Sequence, residues 1–282
     1  MSEMSAPEIA ASAPVAPVFD IALQTDVGTN RENNEDSCGH HVEGPESVVF
    51  AVADGIGGYE GGEVASAMAI EVTLEAFRES PAAWGASKRL HRAVQRANIE
   101  IHNRAIAVPE LRRMGTTLTA AVVDAGMLYA AHVGDCRLYH IRRGKIAQIT
   151  KDHTMVQERV RMGLMSAARA RNHPERSALT RSIGHELIVS VDLIKLPLEQ
   201  GDRVIICSDG LHGVLEDREL EQMTRGLSAE EAVRRLIDTA NQRGTADNLT
   251  VCFFSMNGET PNVSASAAPS LWQRLTAFFR RS

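Results

Sequence analysis

Short runs of apolar and β-branched residues recur along the chain and stop at glycine, aspartate or asparagine, the pattern of strands closed by turns. Strands are expected at residues 19–25, 48–53, 117–123, 127–133, 137–141, 145–150, 187–194, 203–207 and 249–254. Asp124-Ala125-Gly126 joins one consecutive pair and Arg142-Arg143-Gly144 another. Connections this tight make hairpins, so the sheets are expected to be largely antiparallel. Helical periodicity marks residues 62–77, 86–106, 153–162, 217–223 and 229–243. In the second block Leu90, Val94, Ala97 and Ile101 repeat on one face. Two long helices come together and runs of hairpins follow, which favours a layered α+β fold over alternating parallel βαβ units.

The ends of the chain look different. Residues 1–18 are rich in Ala, Ser and Pro and are expected to be a disordered lead-in, and residues 256–270 a linker. Residues 19–255 remain as one domain with no internal repeat, in a chain of 282 residues that is 44% hydrophobic. In residues 271–282, Leu271, Trp272, Leu275, Phe278 and Phe279 fall on one helical face beside Arg274, Arg280 and Arg281. That segment suits weak contact with a membrane surface or a partner, or docking back on the domain.

Charge and cysteine usage narrow the class. A net charge of −6 with no long basic run argues against nucleic acid as a partner. No basic residue precedes Arg31, Pro14 and Pro17 interrupt the early apolar residues, and no stretch approaches the ~20 apolar residues of a membrane span. Cys38, Cys136, Cys207 and Cys252 form no C-x-x-C pair, so they are expected to be free thiols. A cytoplasmic monomer is the expectation.

The chemistry lies where the strands end. Phe50-Ala51-Val52-Ala53 runs into Asp54-Gly55, Ala131-His132-Val133-Gly134 into Asp135, and Val204-Ile205-Ile206-Cys207-Ser208 into Asp209-Gly210. Asp247 opens the last strand. A carboxylate at the end of a buried strand is costly unless something pairs it, and four of them invite a shared cation. Oxygen-only ligands select hard ions such as Mg²⁺, Mn²⁺ or Ca²⁺. Upstream, Arg31 stands four and five residues before Glu35 and Asp36, where its planar fork could hold a phosphate beside a metal cluster.

These segments resemble the metal-dependent protein phosphatase family, type 2C, in its bacterial form. The resemblance rests on residues 26–36, on Asp54-Gly55-Ile56-Gly57-Gly58 with Gly62-Glu63, on Met114-Gly115-Thr116-Thr117 and on residues 131–137. It continues through Lys151-Asp152-His153, Leu179-Thr180-Arg181-Ser182-Ile183-Gly184, Cys207-Ser208-Asp209-Gly210-Leu211 and Asp247-Asn248-Leu249-Thr250-Val251. The matches keep the family's order across residues 20–255, and residues 171–176 resemble the flap of bacterial members.

The resemblance implies a four-layer α-β-β-α sandwich with two central antiparallel sheets and a centre of two Mn²⁺ or Mg²⁺ ions. It implies hydrolysis of phosphoserine and phosphothreonine in proteins by a metal-activated water, opposing a Ser/Thr kinase. Asp54 matches the carboxylate that bridges the metals, Gly55 the carbonyl ligand, and Asp209 and Asp247 further ligands. Glu35 and Asp36 match acids that act through water, Asp135 with Asp209 a third and weaker metal site, and Arg31 the phosphate-binding arginine. Where some members carry a candidate general-acid histidine, this chain has Ile56; His153 reads equally as a structural hydrogen-bonding residue. Cys136 stands where the family often has serine, which puts a thiol beside a metal-site aspartate as a candidate for oxidation. A catalytically inactive binding module would be expected to have lost metal-site acids, and Asp54, Asp209 and Asp247 are all present. A nucleotide enzyme would need a phosphate-binding glycine loop that the chain lacks.

Overall fold

A computed structural model describes residues 18–57, 61–171 and 173–256. The expected lead-in, linker and amphipathic end therefore fall outside the described residues, apart from their innermost positions Val18 and Met256. The chain opens with β1 (Phe19–Asp26), β2 (Asp36–Gly44) and β3 (Ser47–Ile56), then the helix pair α1 (Gly61–Glu79) and α2 (Ala86–Ala107). The short β4 (Gly115–Thr116) leads into β5 (Leu118–Asp124), β6 (Met127–Val133), β7 (Arg137–Arg142) and β8 (Lys145–Gln148). Two short helices, α3 (Met155–Arg161) and α4 (Ala167–Arg171), precede β9 (Asp192–Pro197) and β10 (Arg203–Cys207). The chain then runs through α5 (Asp209–His212), α6 (Asp217–Met223), α7 (Ala229–Gln242) and β11 (Leu249–Met256).

Two antiparallel sheets result. One is ordered β1-β11-β10-β7-β8 and the other β2-β3-β5-β6-β9, with β4 paired to the end of β3. The alternation of side chains along a strand builds four layers from them. On β3, Val49, Ala51 and Ala53 face α1 and α2, while Val48, Phe50 and Val52 face the other sheet. Phe254 of β11 stacks on Phe50 at 5.7 Å between ring centres, closing the space between the sheets. The outer face of the first sheet is covered by Leu236, Ile237 and Ala240 of α7. That helix starts at a capping box in which the Ser228 and Glu231 side chains each bond the other residue's backbone N–H. The expected α-β-β-α sandwich is the fold observed.

Several elements depart from the sequence reading. β2 was not expected: Asp-Ser-Cys-Gly-His-His-Val-Glu-Gly lacks apolar alternation because this strand edges its sheet and leaves much of itself open to solvent. The strand expected at 187–194 begins only at Asp192. Residues 186–189 instead lie along α2, where Asn98 donates to the Glu186 and Leu187 carbonyls and Gln95 to that of Val189. The helix expected from residue 153 starts at Met155, because the His153 N–H is held by the Gly134 carbonyl and Thr154 caps the helix. No described helix is long and apolar enough to cross a membrane.

Candidate metal centre

The acids converge at one end of the sandwich because separate strands deliver them there. Asp54 follows the inward-facing Val48, Phe50 and Val52 in the same alternation, so it points between the sheets. Asp36 pairs with it across β2 and β3 and shares its face. β10 runs out at Ser208, whose successor Asp209 begins α5. Asp135 sits in the turn from β6 to β7, and Asp247 lies two residues before β11.

The loop carrying Arg31 and Glu35 is fixed by a residue that sequence reasoning did not single out. The Asn248 side-chain amide donates to the Val27 and Asn33 carbonyls, and its oxygen accepts the Glu35 N–H at 2.9 Å. Ser208, also passed over, donates its hydroxyl to Asp36 at 2.6 Å and accepts the Thr250 N–H. Thr117 accepts the Asp54 N–H at 3.0 Å. Each sits next to an acid or glycine motif, and that adjacency was the one signal the sequence offered.

Arg31, Glu35, Asp54, Asp135, Asp209 and Asp247 line a single cavity of about 150 Å³. Arg31 donates to Asp247 at 2.8 Å and to the Ala246 carbonyl. Glu35 lies over the first turn of α1, where a Cβ on Gly62 would run into its carboxylate. Burial, reinforced by the charges of Asp36 and Asp209, raises the Asp54 carboxyl well above its ordinary value. Burial and Asp209 raise Asp135 in the same way. Burial and Asp247 raise Asp209. Burial pushes Asp36 to about 7, with Asp209 and Asp247 adding to it and the Ser208 and Thr250 hydroxyls opposing. Among the described residues no donor reaches the Asp54 carboxylate.

Five carboxylates thus share a wall with one arginine. As they stand, no three of the described His, Cys, Asp or Glu side chains close around one point to grip an ion. The donor chemistry nevertheless fits hard divalent cations: the ligands offered are oxygens, they repel one another, and a cation among them relieves both burial and repulsion. Gly55 adds a backbone carbonyl. A side chain at that position would meet the backbone oxygens of Gly62 and Glu35, neither of which can swing away. Gly55→Ala should therefore cost about 1–3 kcal/mol and disorder the cavity, read as a lower melting temperature together with lost activity.

The nearby histidines are occupied. His153 accepts the Gly134 N–H on Nδ1, so its Nε2–H donates to Asp192; it serves structure. His212 bonds the Asp135 carbonyl, and burial lowers it to about 3, so it is neutral at physiological pH. Cys136 is shielded. Its thiol is fully buried against Thr117 at 3.1 Å, and burial with the Asp54 charge drives its pKa up, which disfavours the thiolate that oxidation needs. Ser177, in the flap segment, reaches Asp209 at 3.3 Å.

Residues 27–252 match the family model described as Protein phosphatase 2C. The chain belongs to that family. The serine/threonine phosphatase stp of Listeria innocua is 35% identical over 239 residues, covering 83% of this chain and 95% of that protein. The serine/threonine protein phosphatase PstP of Mycobacterium tuberculosis is 37% identical over 264 residues, which are 92% of this chain and 50% of PstP. The catalytic domain of PstP solved in complex with two manganese ions superposes with a TM-score of 0.75 at 32% identity, covering 84% of this chain and 97% of that one. A 2C-family member of this sequence is a protein phosphatase, and its acid cavity coincides with the motifs that carry the family resemblance.

Proposed function

We propose that this phosphatase hydrolyses phosphoserine and phosphothreonine in proteins, opposing a Ser/Thr kinase, with two Mn²⁺ or Mg²⁺ ions held in the acid cavity. The observation that carries the reading is the set of five carboxylates around one arginine in about 150 Å³, joined to the family match. The names of the stp and PstP relatives and the manganese in the PstP structure support the substrate class and the metal. Asp54 and the Gly55 carbonyl, with Asp209 and Asp247, would hold the pair of ions; Glu35 and Asp36 would act through water, and Asp135 with Asp209 would serve a third. Bound there, such ions supply Lewis-acid activation of water near neutral pH and offset charge on the phosphoryl group.

The chain's own residues account for the rest. Arg31, half exposed at the rim and tethered through Nε and Nη2, presents a guanidinium where phosphoryl oxygens would enter. Asn248 and Ser208 keep the acids in register. A second cavity of about 340 Å³ shares Asp135, Asp209 and Asp247 and continues under α3 and α4 past Arg171 and Arg176. It offers room for the chain on one side of a phosphorylated residue. Phosphate release from a phosphothreonine peptide should require Mn²⁺ or Mg²⁺ and stop on chelation. Release that is indifferent to chelator, or absent with every divalent ion, would contradict the proposal.

A further inference from the structure

Hydrolysis of a seryl or threonyl phosphate expels an alkoxide, a poor leaving group unless it is given a proton. No histidine lines the acid cavity among the described residues. His153 and His212 are committed as described, and His132 is buried between Thr119 and the Lys151 carbonyl. His185 differs from all of these in being exposed.

The placement follows from register. Ile56 is two residues beyond Asp54 on β3, so it shares Asp54's face, and it lines the acid cavity. Gly115 is paired opposite Ile56, and paired residues of an antiparallel ladder point to the same side. A Cβ on Gly115 would stand 2.8 Å from His185 Cε1 and 3.0 Å from its Nε2. The imidazole thus fills the side-chain position that Gly115 leaves vacant, directly beside Ile56. It is held by Ser182, whose Oγ lies 2.5 Å from Nδ1, while Nε2 makes only a 3.4 Å contact with the Arg113 carbonyl. The segment bearing both residues starts at the cavity wall with Leu179 and is pinned where Ile183 bridges Thr116.

We propose that His185 is the general acid of this phosphatase and that Ser182 is its positioning residue, a reading that rests on the hydrolytic function proposed above. In the protonated ring, Nδ1–H donates to Ser182 Oγ and Nε2–H points to the departing oxygen. As water adds to phosphorus and the bond from phosphorus to the ester oxygen breaks, that oxygen takes the Nε2 proton. The products are the free hydroxyl amino acid, inorganic phosphate and neutral His185, which regains its proton from solvent.

The test compares leaving groups. With Mn²⁺ present, His185→Gln should lower kcat about 10²-fold on a phosphothreonine peptide, at little change in KM. It should lower kcat far less on p-nitrophenyl phosphate, whose leaving group departs as a stable anion. Across a series of aryl phosphates the variant's rates should depend more steeply on leaving-group acidity than those of the wild type. Ser182→Ala should show the same pattern more weakly. Added imidazole should restore part of the peptide activity of His185→Ala, because the site is open to solvent. Equal losses on both substrates, or no loss on either, would overturn the assignment. A wild type inactive on every phosphomonoester counts against the phosphatase reading itself, whereas an active wild type with an undiminished variant counts against His185 alone.

Discussion

Asp54→Asn should lower phosphate release from a phosphothreonine peptide by at least about 10³-fold, while the metal-free variant melts no lower than the wild type. The two halves of this expectation share one cause. Asp54 sits among acids that repel it, and no described donor satisfies its carboxylate. An amide of the same shape removes one like charge from a crowded, poorly solvated cluster, so the folded chain loses nothing by the change. The same carboxylate would hold the proposed ions, and an amide there would not offset their charge. Stability and activity should therefore move apart, as expected at a site built for a ligand rather than for the fold. Thermal melts without metal and phosphate-release rates with Mn²⁺ check both halves. A variant that melts well below the wild type, or one that keeps a tenth of the activity, would contradict the account.

Asp202→Ala should have the opposite signature, a large loss of stability at a distance from the chemistry. Asp202 is 1% exposed, at the end of the sandwich away from the acid cavity. It accepts from His140 Nε2 at 3.0 Å, from Arg142 Nε at 2.9 Å and from the Glu199 N–H at 2.8 Å. Deleting it strands His140 and part of Arg142 in the interior, at a cost of about 3–5 kcal/mol. Burial works to raise the Asp202 carboxyl, but the bonds from His140 and Arg142 outweigh it and hold the group below the ordinary carboxylate range. A folded-state value below the unfolded one of about 3.9 contributes stability that is fully present above that pH. That contribution fades as pH falls through the lower folded-state value. Urea unfolding at neutral pH should show the full deficit of Asp202→Ala, and at about pH 2–3 the difference from wild type should shrink. A deficit that stays constant into acid would show that the ion pair is not its source.

The sequence made the inner strands legible because residues such as Val48 to Ala53 and Val204 to Cys207 are buried on both faces and read as unbroken apolar runs. β2 escaped because an edge strand needs few apolar positions. The four-residue α5 escaped because it is too short to show a helical period. The acids were legible for a different reason: an apolar run either leads into an aspartate beside a small residue, as at Asp54, Asp135 and Asp209, or follows one beside asparagine, as at Asp247. Asn248, Ser208 and Thr117 were not singled out. Their hydrogen bonds join segments up to 221 residues apart, a pairing that no local pattern announces. The His185 and Ser182 pair was hidden likewise, since its position depends on the missing side chain of Gly115 on another strand.

The central claim is that the acid cavity gathers its charges for divalent cations. Calorimetric titration of the wild type with Mn²⁺, beside Asp54→Asn and Asp209→Asn, tests this most directly. Two tight sites in the wild type, the number in the PstP structure, with at least one lost in each variant, is the predicted result. Unchanged Mn²⁺ binding in both variants, or no saturable binding in the wild type, would contradict it.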